Sequence, residues 1–265
     1  YEMTMANGYF QDPGAEDLVT FDVFYRKNPD GAGFAIFAGL EQVLDYLEGM
    51  HFDDADIDYL RSLHIYAEDF LAWLRDFRFR GTVRALPEGS IMYPNEPILT
   101  VEAPLIDAQL VETAILAQVN HQSLIATKTN RIVRSAEGRL VADFGARRAH
   151  NVDAAVYGAR AAYIGGAAST ATMLAGEMFG IPVSGTMAHS WVQMFPSEYE
   201  AFKKYAELYP DACVLLVDTY NVLRHGVPDA IKVFDEVLKP MGKRPKGIRI
   251  DSGDIAYLSK KARKM

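Results

Sequence analysis

The sequence contains one cysteine, Cys213, in 265 residues. A single cysteine closes no internal disulfide, and it argues against a tetrahedral structural zinc site. Cys213 lies in the apolar run 212–217 and reads as a small core residue. No apolar run approaches the ~18 residues of a membrane span, and no signal-peptide pattern is visible. Positive charge is scarce. Lys and Arg number 27 against 35 Asp and Glu, giving a net charge of -8. That balance speaks against broad nucleic-acid binding and against an anionic membrane surface. It leaves room for a local basic pocket that takes a phosphorylated small molecule. Neither G-x-G-x-x-G nor G-x-x-x-x-G-K-[ST] occurs, which weakens the dinucleotide and P-loop readings. The expected setting is reducing, soluble and cytoplasmic.

What is present is ordinary globular material, 49% apolar and 23% charged, enough for one large or two modest domains. Residues 1–104 read as an α+β domain. Strands are expected at 19–25 and 33–38, the second pairing with the first. Helical spacing begins after Gly39 with Leu40, Val43, Leu44 and Leu47, and two short helices fall within 56–77. Strands at 82–86 and 98–102 flank a turn-rich stretch. The acidic group Asp53, Asp54, Asp56 and Asp58 lacks the glycine and terminal glutamate of a calcium loop, and reads as the start of a helix. Residues 105–138 read as one long connecting helix that stops at Gly138.

From 139 onward the pattern alternates. Strands are expected at 140–144, 167–170, 181–184, 213–218 and 247–251. Helices are expected at 152–164, 171–179, 197–208, 227–238 and 255–264. Such alternation means βα units around a parallel sheet. Five strands in this order favour part of an irregular TIM-like barrel, spanning 139–265, over a Rossmann half. The fold class is α/β.

In a parallel barrel the active site lies at the C-terminal strand ends. Those ends read Asp143-Phe144-Gly145-Ala146-Arg147-Arg148, Ser169-Thr170, Gly185-Thr186-Met187-Ala188-His189, Asp218-Thr219-Tyr220 and Arg249-Ile250-Asp251-Ser252. Every expected strand thus ends on polar groups. Arginine binds carboxylate or phosphate through its planar fork. Aspartate holds magnesium, which carries phosphates. A histidine can shuttle a proton or act as a nucleophile, and Phe144 can stack on a flat ring. Taken singly, each has a plainer alternative. Asp218 and Asp251 could cap the following helices, Arg147 and Arg249 could serve structural ion pairs, and Phe144 and His189 could simply be packed. His121 and His150 flank helices, open to solvent or substrate, while His51, His64 and His225 read as surface or structural.

At these residues the sequence resembles the nicotinate phosphoribosyltransferase family. The resemblance is carried by Tyr1-Glu2-Met3-Thr4-Met5-Ala6-Asn7-Gly8-Tyr9-Phe10, Phe21-Asp22-Val23-Phe24-Tyr25-Arg26 and Ala142-Asp143-Phe144-Gly145-Ala146-Arg147-Arg148. It continues in Gly185-Thr186-Met187-Ala188-His189-Ser190, Leu216-Val217-Asp218-Thr219-Tyr220 and Ile248-Arg249-Ile250-Asp251-Ser252-Gly253-Asp254. It implies synthesis of nicotinate mononucleotide and pyrophosphate from nicotinate and phosphoribosyl pyrophosphate, for NAD biosynthesis. ATP is implied as co-substrate, coupled through a phosphohistidine at His189, and Mg2+ as cofactor. It further implies that Phe144 stacks on the pyridine and that Tyr1 of a neighbouring subunit covers the other face of the ring. Arg147, Arg249 and Thr186 would bind substrate, and Asp218 and Asp251 would order ribose hydroxyls and magnesium-bound pyrophosphate. Ser169 and Thr170 stand where nicotinamide-using relatives carry a threonine–aspartate pair, and a hydroxyl there suits a carboxylate substrate. Arg26 would contact phosphate across a homodimer with active sites at the subunit interface. Family members are longer and carry glycine-rich phosphate segments on later strands. The sequence is therefore expected to be an N-terminal portion of a longer protein. The alternatives are a nicotinamide phosphoribosyltransferase or a truncated, non-catalytic homologue. A quinolinate phosphoribosyltransferase would share the barrel without needing a phosphohistidine.

Overall fold

Apolar alternation writes the first sheet. In the computed structural model, which describes all 265 residues, the strands are β1 (Leu18–Val23), β2 (Ala35–Ile36), β3 (Thr82–Ala85), β4 (Ile91–Met92), β5 (Leu99–Pro104), β6 (Ala142–Asp143), β7 (Ser169–Thr170), β8 (Val214–Leu216) and β9 (Gly247–Arg249). On β5, Leu99, Val101 and Ala103 are buried while Thr100, Glu102 and Pro104 are partly exposed. That period of two places β5 in the middle, antiparallel to β1 and β3.

The chain forms two compact units, 1–184 and 185–265. This division does not follow the expected boundaries at 104 and 138, because residues 139–184 belong to the first unit. There α7 (Val152–Ile164) packs along α6 (Glu112–Ser135). Helices α1 (Glu2–Phe10), α2 (Leu40–Gly49), α3 (Asp54–Ser62), α4 (Glu68–Arg75) and α5 (Leu105–Leu110) complete the N-terminal part. Asp53 and Asp56 form a reciprocal cap at the start of α3, so the acidic group is a helix start as expected. Two large apolar clusters, with two smaller ones beside them, build this unit. One joins Phe37, Leu99, Val101, Ile115 and Val119. The other joins Ile57, Phe70, Leu71, Leu74 and Ile106. Each such side chain contributes about 1.5–3 kcal/mol on burial.

Two local expectations are corrected. The second strand does not pair with the first: β2 pairs with β4. On its other side the Ile36 and Ala38 amides donate to the hydroxyls of Thr127 and Ser123 on α6 (2.8 and 3.1 Å), which leaves no edge for β1. The expected continuous helix over 105–138 is two helices. Val111, buried and at φ -105°, ψ -4°, steps out of helical geometry between α5 and α6.

The later strands are parallel. β6 pairs with β7, and Val183 bridges Thr170 on the far side. α8 (Met173–Phe179) connects them. In the second unit β8 pairs with β9, and α9 (His189–Gln193), α10 (Glu198–Leu208), α11 (Val227–Val233) and α12 (Ile255–Lys264) accompany them. Its core joins Phe202, Leu215, Leu216, Val217, Val233 and Leu238. The expected helix 227–238 is α11 with π-helical turns at Val222–Gly226 and Phe234–Leu238. The first π turn brings Gly226 so close to β8 that a Cβ there would sit 2.0 Å from the Val217 carbonyl oxygen. The parallel pairs are separate short sheets, and no barrel is closed.

A buried polar knot ties the first unit together. Arg160 on α7, 8% exposed, donates to both carboxylate oxygens of Glu88 (2.9 and 2.6 Å), and also to Glu41 and Gln122. Glu88 in turn accepts the Gly39 and Leu40 amides at the start of α2. Burial alone would raise the Glu88 carboxyl, but Arg160 and these amides hold it below its ordinary value. Arg160→Met leaves that carboxylate without its counter-charge. It is expected to destabilise the protein by about 3–5 kcal/mol, read as a lower midpoint in urea unfolding.

Candidate functional site

Strand burial decides where polar chemistry can begin. Leu215, Leu216 and Val217 are at most 1% exposed, so the first polar side chain after β8 is Asp218. The Val217 amide donates to the Arg249 carbonyl (3.1 Å), so Asp218 and Asp251 leave the paired strands side by side. Asp218 Oδ2 accepts the Asp251 amide (3.1 Å) and the Ser252 hydroxyl (2.6 Å). Its Oδ1 is buried with no hydrogen-bond partner. Arg249 donates to Thr186 Oγ1 (2.8 Å) and to Asp251 Oδ1 (2.5 Å). His189 is the first residue of the short helix α9, after an extended segment, rather than the last of a strand. Its Nδ1 lies 3.1 Å from the Thr219 hydroxyl, and its Nε2 lies 3.7 Å from Asp251 Oδ2. The imidazole is 40% exposed: Thr219 holds one nitrogen, and the other stands near Asp251 beyond hydrogen-bond distance. Five of the expected site residues, Thr186, His189, Asp218, Arg249 and Asp251, therefore converge in this unit.

Three further residues belong to this group and were not singled out from sequence. Thr219 and Ser252 each directly follow a strand-end aspartate, which is the pattern that could have found them. Glu198, at the start of α10, is 4% exposed and its Oε1 has no partner. Burial, then the charges of Asp229 and Asp218, push its carboxyl up to about 7.

The first unit assembles a second group. Asp143 ends β6. Its Oδ1 accepts the Gly145 amide (3.0 Å) and its Oδ2 accepts the Thr170 hydroxyl (2.9 Å). Thr170 Oγ1 also accepts the Thr172 amide (3.0 Å). Thr170, expected to contact substrate, is fully buried, and its hydroxyl is engaged in bracing Asp143. Ser169 Oγ meets Ser184 Oγ at 2.7 Å. The braced turn presents Phe144, 40% exposed, and Arg147, which is exposed. Asp143 stands in one of the strand-end motifs, and its bracing of Thr170 and the turn is what the structure adds. Tyr1 and Arg26 stand on other elements of the first unit. The Tyr1 hydroxyl donates to Glu112 (3.0 Å) at the start of α6, and its ring is 69% exposed. Arg26 is exposed at a cavity of about 570 Å³ between residues 23–29 and α6. No cluster of three or more His, Cys, Asp or Glu side chains is placed to hold a metal ion, so the chain offers no all-protein metal cage.

Fold and strand ends together define an α/β protein that gathers histidine, arginine and carboxylate groups after parallel strands. Residues 1–120 match the nicotinate phosphoribosyltransferase N-terminal domain, and residues 140–265 match the nicotinate phosphoribosyltransferase family. The chain is 51% identical over 267 residues to a nicotinate phosphoribosyltransferase of Bacillus subtilis, covering 100% of this chain and 54% of that protein. It is 34% identical over 316 residues to the human one, covering 100% and 58%. The crystal structure of human nicotinic acid phosphoribosyltransferase matches with a TM-score of 0.92 at 33% identity, covering 100% of this chain and 63% of that one. A nicotinate-nucleotide pyrophosphorylase from Pyrococcus furiosus matches with a TM-score of 0.77 at 25% identity, covering 98% and 59%. The chain belongs to the nicotinate phosphoribosyltransferase family. It spans about half the length of the curated relatives it matches.

Two outcomes follow from this geometry. Thr170→Val keeps the shape but strips partners from Asp143 and the Thr172 amide, and should cost about 1–3 kcal/mol, read by thermal melting. The raised Glu198 carboxyl favours its neutral form in the folded state. Its contribution is full below the unfolded value of 4.5 and is lost as pH rises through about 7. Glu198→Gln should therefore be more stable than the parent above that pH and should flatten the decline, measured by urea unfolding across the pH range.

Proposed function

We propose that the protein carrying this chain makes nicotinate mononucleotide and pyrophosphate from nicotinate and phosphoribosyl pyrophosphate. ATP hydrolysis is coupled to this transfer through a phosphohistidine at His189. The observation that carries the reading is the ordered set around Asp251, with Arg249 and His189 on opposite carboxylate oxygens. We read the parallel pairs as part of an irregular TIM-like barrel in a cytoplasmic protein. No helix is long and apolar enough to cross a membrane.

The pyridine nitrogen attacks C1 of the ribose as the C1–O bond to pyrophosphate breaks, and that electron pair leaves with the pyrophosphate. C1 gains oxocarbenium character, and the leaving group gains charge. Arg249, oriented by Thr186 and Asp251, offers a preset fork to phosphate oxygens. Asp218 and Asp251 accept ribose hydroxyls. Phe144 supplies a flat face to the pyridine, Arg147 faces the substrate carboxylate, and Ser169 supplies a neutral hydroxyl that does not repel it. Magnesium, when bound with the pyrophosphate, neutralises charge on the leaving group. The buried, unpartnered Asp218 Oδ1 fits a contact to such a hydrated cation, and a caged metal is not part of this reading.

His189 takes the γ-phosphoryl group of ATP. An N–P bond forms as the P–O bond to ADP breaks, and water later releases phosphate. Thr219 holds the ring while Asp251 stands beside the other nitrogen, so phosphorylation places new charge next to the Arg249–Asp251 pair. A homodimer completes the reading, with the exposed Tyr1 ring of one copy covering the pyridine in the other and Arg26 reaching phosphate across the interface. His189→Ala is expected to abolish ATP stimulation while a slow ATP-independent transfer remains, measured as nicotinate mononucleotide formed with and without ATP. Retained full ATP coupling would refute the assignment.

A further inference from the structure

Arg148, His150 and His121 carry nitrogen donors that the proposed reaction does not use. All three line a cavity of about 440 Å³ within the first unit, bounded by α6, the turn after β6 and the start of α7. Phe144 and Arg147 do not line it, whereas Gly145, Ala146 and Arg148 from the same turn do.

Its nitrogen donors are largely unengaged. The Arg148 guanidinium and the His150 imidazole are exposed and make no hydrogen bond or ion pair within the protein. His121 Nε2 lies 3.1 Å from the Ala154 carbonyl. A carbonyl only accepts, so Nε2 carries the hydrogen and the ring is pinned against α7. The one carboxylate in the lining is Asp143, whose oxygens accept the Gly145 amide and the Thr170 hydroxyl; both donors are neutral, so its negative charge stays in the wall. The remaining wall is largely apolar, with Leu124 and Ile125 on one side. The first turn of the thirteen-residue α7 contributes Ala154 and Ala155 to the wall, and Asp153 in the same turn offsets the positive end of the helix dipole.

We propose that this cavity binds the phosphate group of a small phosphorylated molecule between Arg148 and His150, with Leu124 and Ile125 against its uncharged part. A guanidinium fork and an imidazole at a helix start suit a tetrahedral dianion. The volume lies within the ~300–1,000 Å³ typical of small-molecule pockets. Occupancy would fix Arg148, and with it the turn that carries Phe144 and Arg147. This inference stands on the first unit alone and does not rest on the reaction proposed above.

The probe is inorganic phosphate, titrated calorimetrically into the whole protein carrying Arg249→Ala, which weakens anion binding at the other strand ends. Saturable binding is expected. Adding Arg148→Gln and His150→Gln should weaken it at least roughly ten-fold, while thermal melting of the two proteins stays the same. No saturable binding in the Arg249→Ala protein, or equal affinity after the two added substitutions, would overturn the proposal. If the combined variant does not fold, His150→Gln in the Arg249→Ala background is judged by the same two criteria.

Discussion

The first unit depends on one guanidinium. Arg160 brings a positive charge into a place that is 8% exposed, where an unpaired charge would be prohibitive. Glu88 answers it bidentately and, with its Oε1, also closes the start of α2 through the Gly39 and Leu40 amides. Gly39 is held at φ +107°, where a Cβ would lie 2.7 Å from the Gln118 carbonyl of α6. The loop before β4, the start of α2, the middle of α6 and the face of α7 are therefore fixed by a single set of charges. Helix α7 begins just after the Phe144–Arg147 turn, so the position of that turn is inherited from a knot far from it in sequence.

The strand ends follow a second rule. A strand buried by Leu215, Leu216 and Val217 has no polar side chain until it stops, and the residue at the stop is then a carboxylate. That carboxylate first spends an oxygen on structure. Asp218 Oδ2 ties down the Asp251 amide and the Ser252 hydroxyl, and Asp143 ties its own turn and Thr170. In this pattern the structural and the chemical uses of aspartate are successive. One oxygen sets the loop, and at Asp218 the other is left over. The capping alternative for these residues thus has a counterpart here, though the bonds run to the neighbouring strand end rather than to the following helix.

How much could be read in advance depended on range. The strand-like run at 98–102, the helical spacing after Gly39 and the alternation after 139 are local patterns, and most of the expected elements form, though the expected strand at 181–184 is only a bridge at Val183. The β2–β4 pair was hidden because each strand has two residues, too few to show a period. Its outer edge is closed by hydroxyls of α6 some 85 to 91 residues away. The break at Val111 was hidden because a buried valine fits an apolar helical stripe equally well. The candidate site divides the same way. His189, Arg249 and Asp251 stood in short motifs. So did Asp143, but its bond to Thr170, 27 residues on, left no mark in that motif. Glu198 was overlooked because an acid at a helix start is ordinary, and nothing local says that it is buried. The division into units at Ser184 is a property of packing and left no mark in composition.

Charge balance in the second unit sets the terms for any anionic ligand there. Asp218 and Asp251 face one guanidinium, Arg249, and an imidazole beside a carboxylate. Asp251 is neutralised by Arg249, but Asp218 is held only by neutral donors, an amide and a hydroxyl. A multiply charged pyrophosphate meeting that surface is repelled unless it arrives with its own cation. Adding a phosphoryl group to His189 would sharpen this requirement, because the new charge lies close to Asp251.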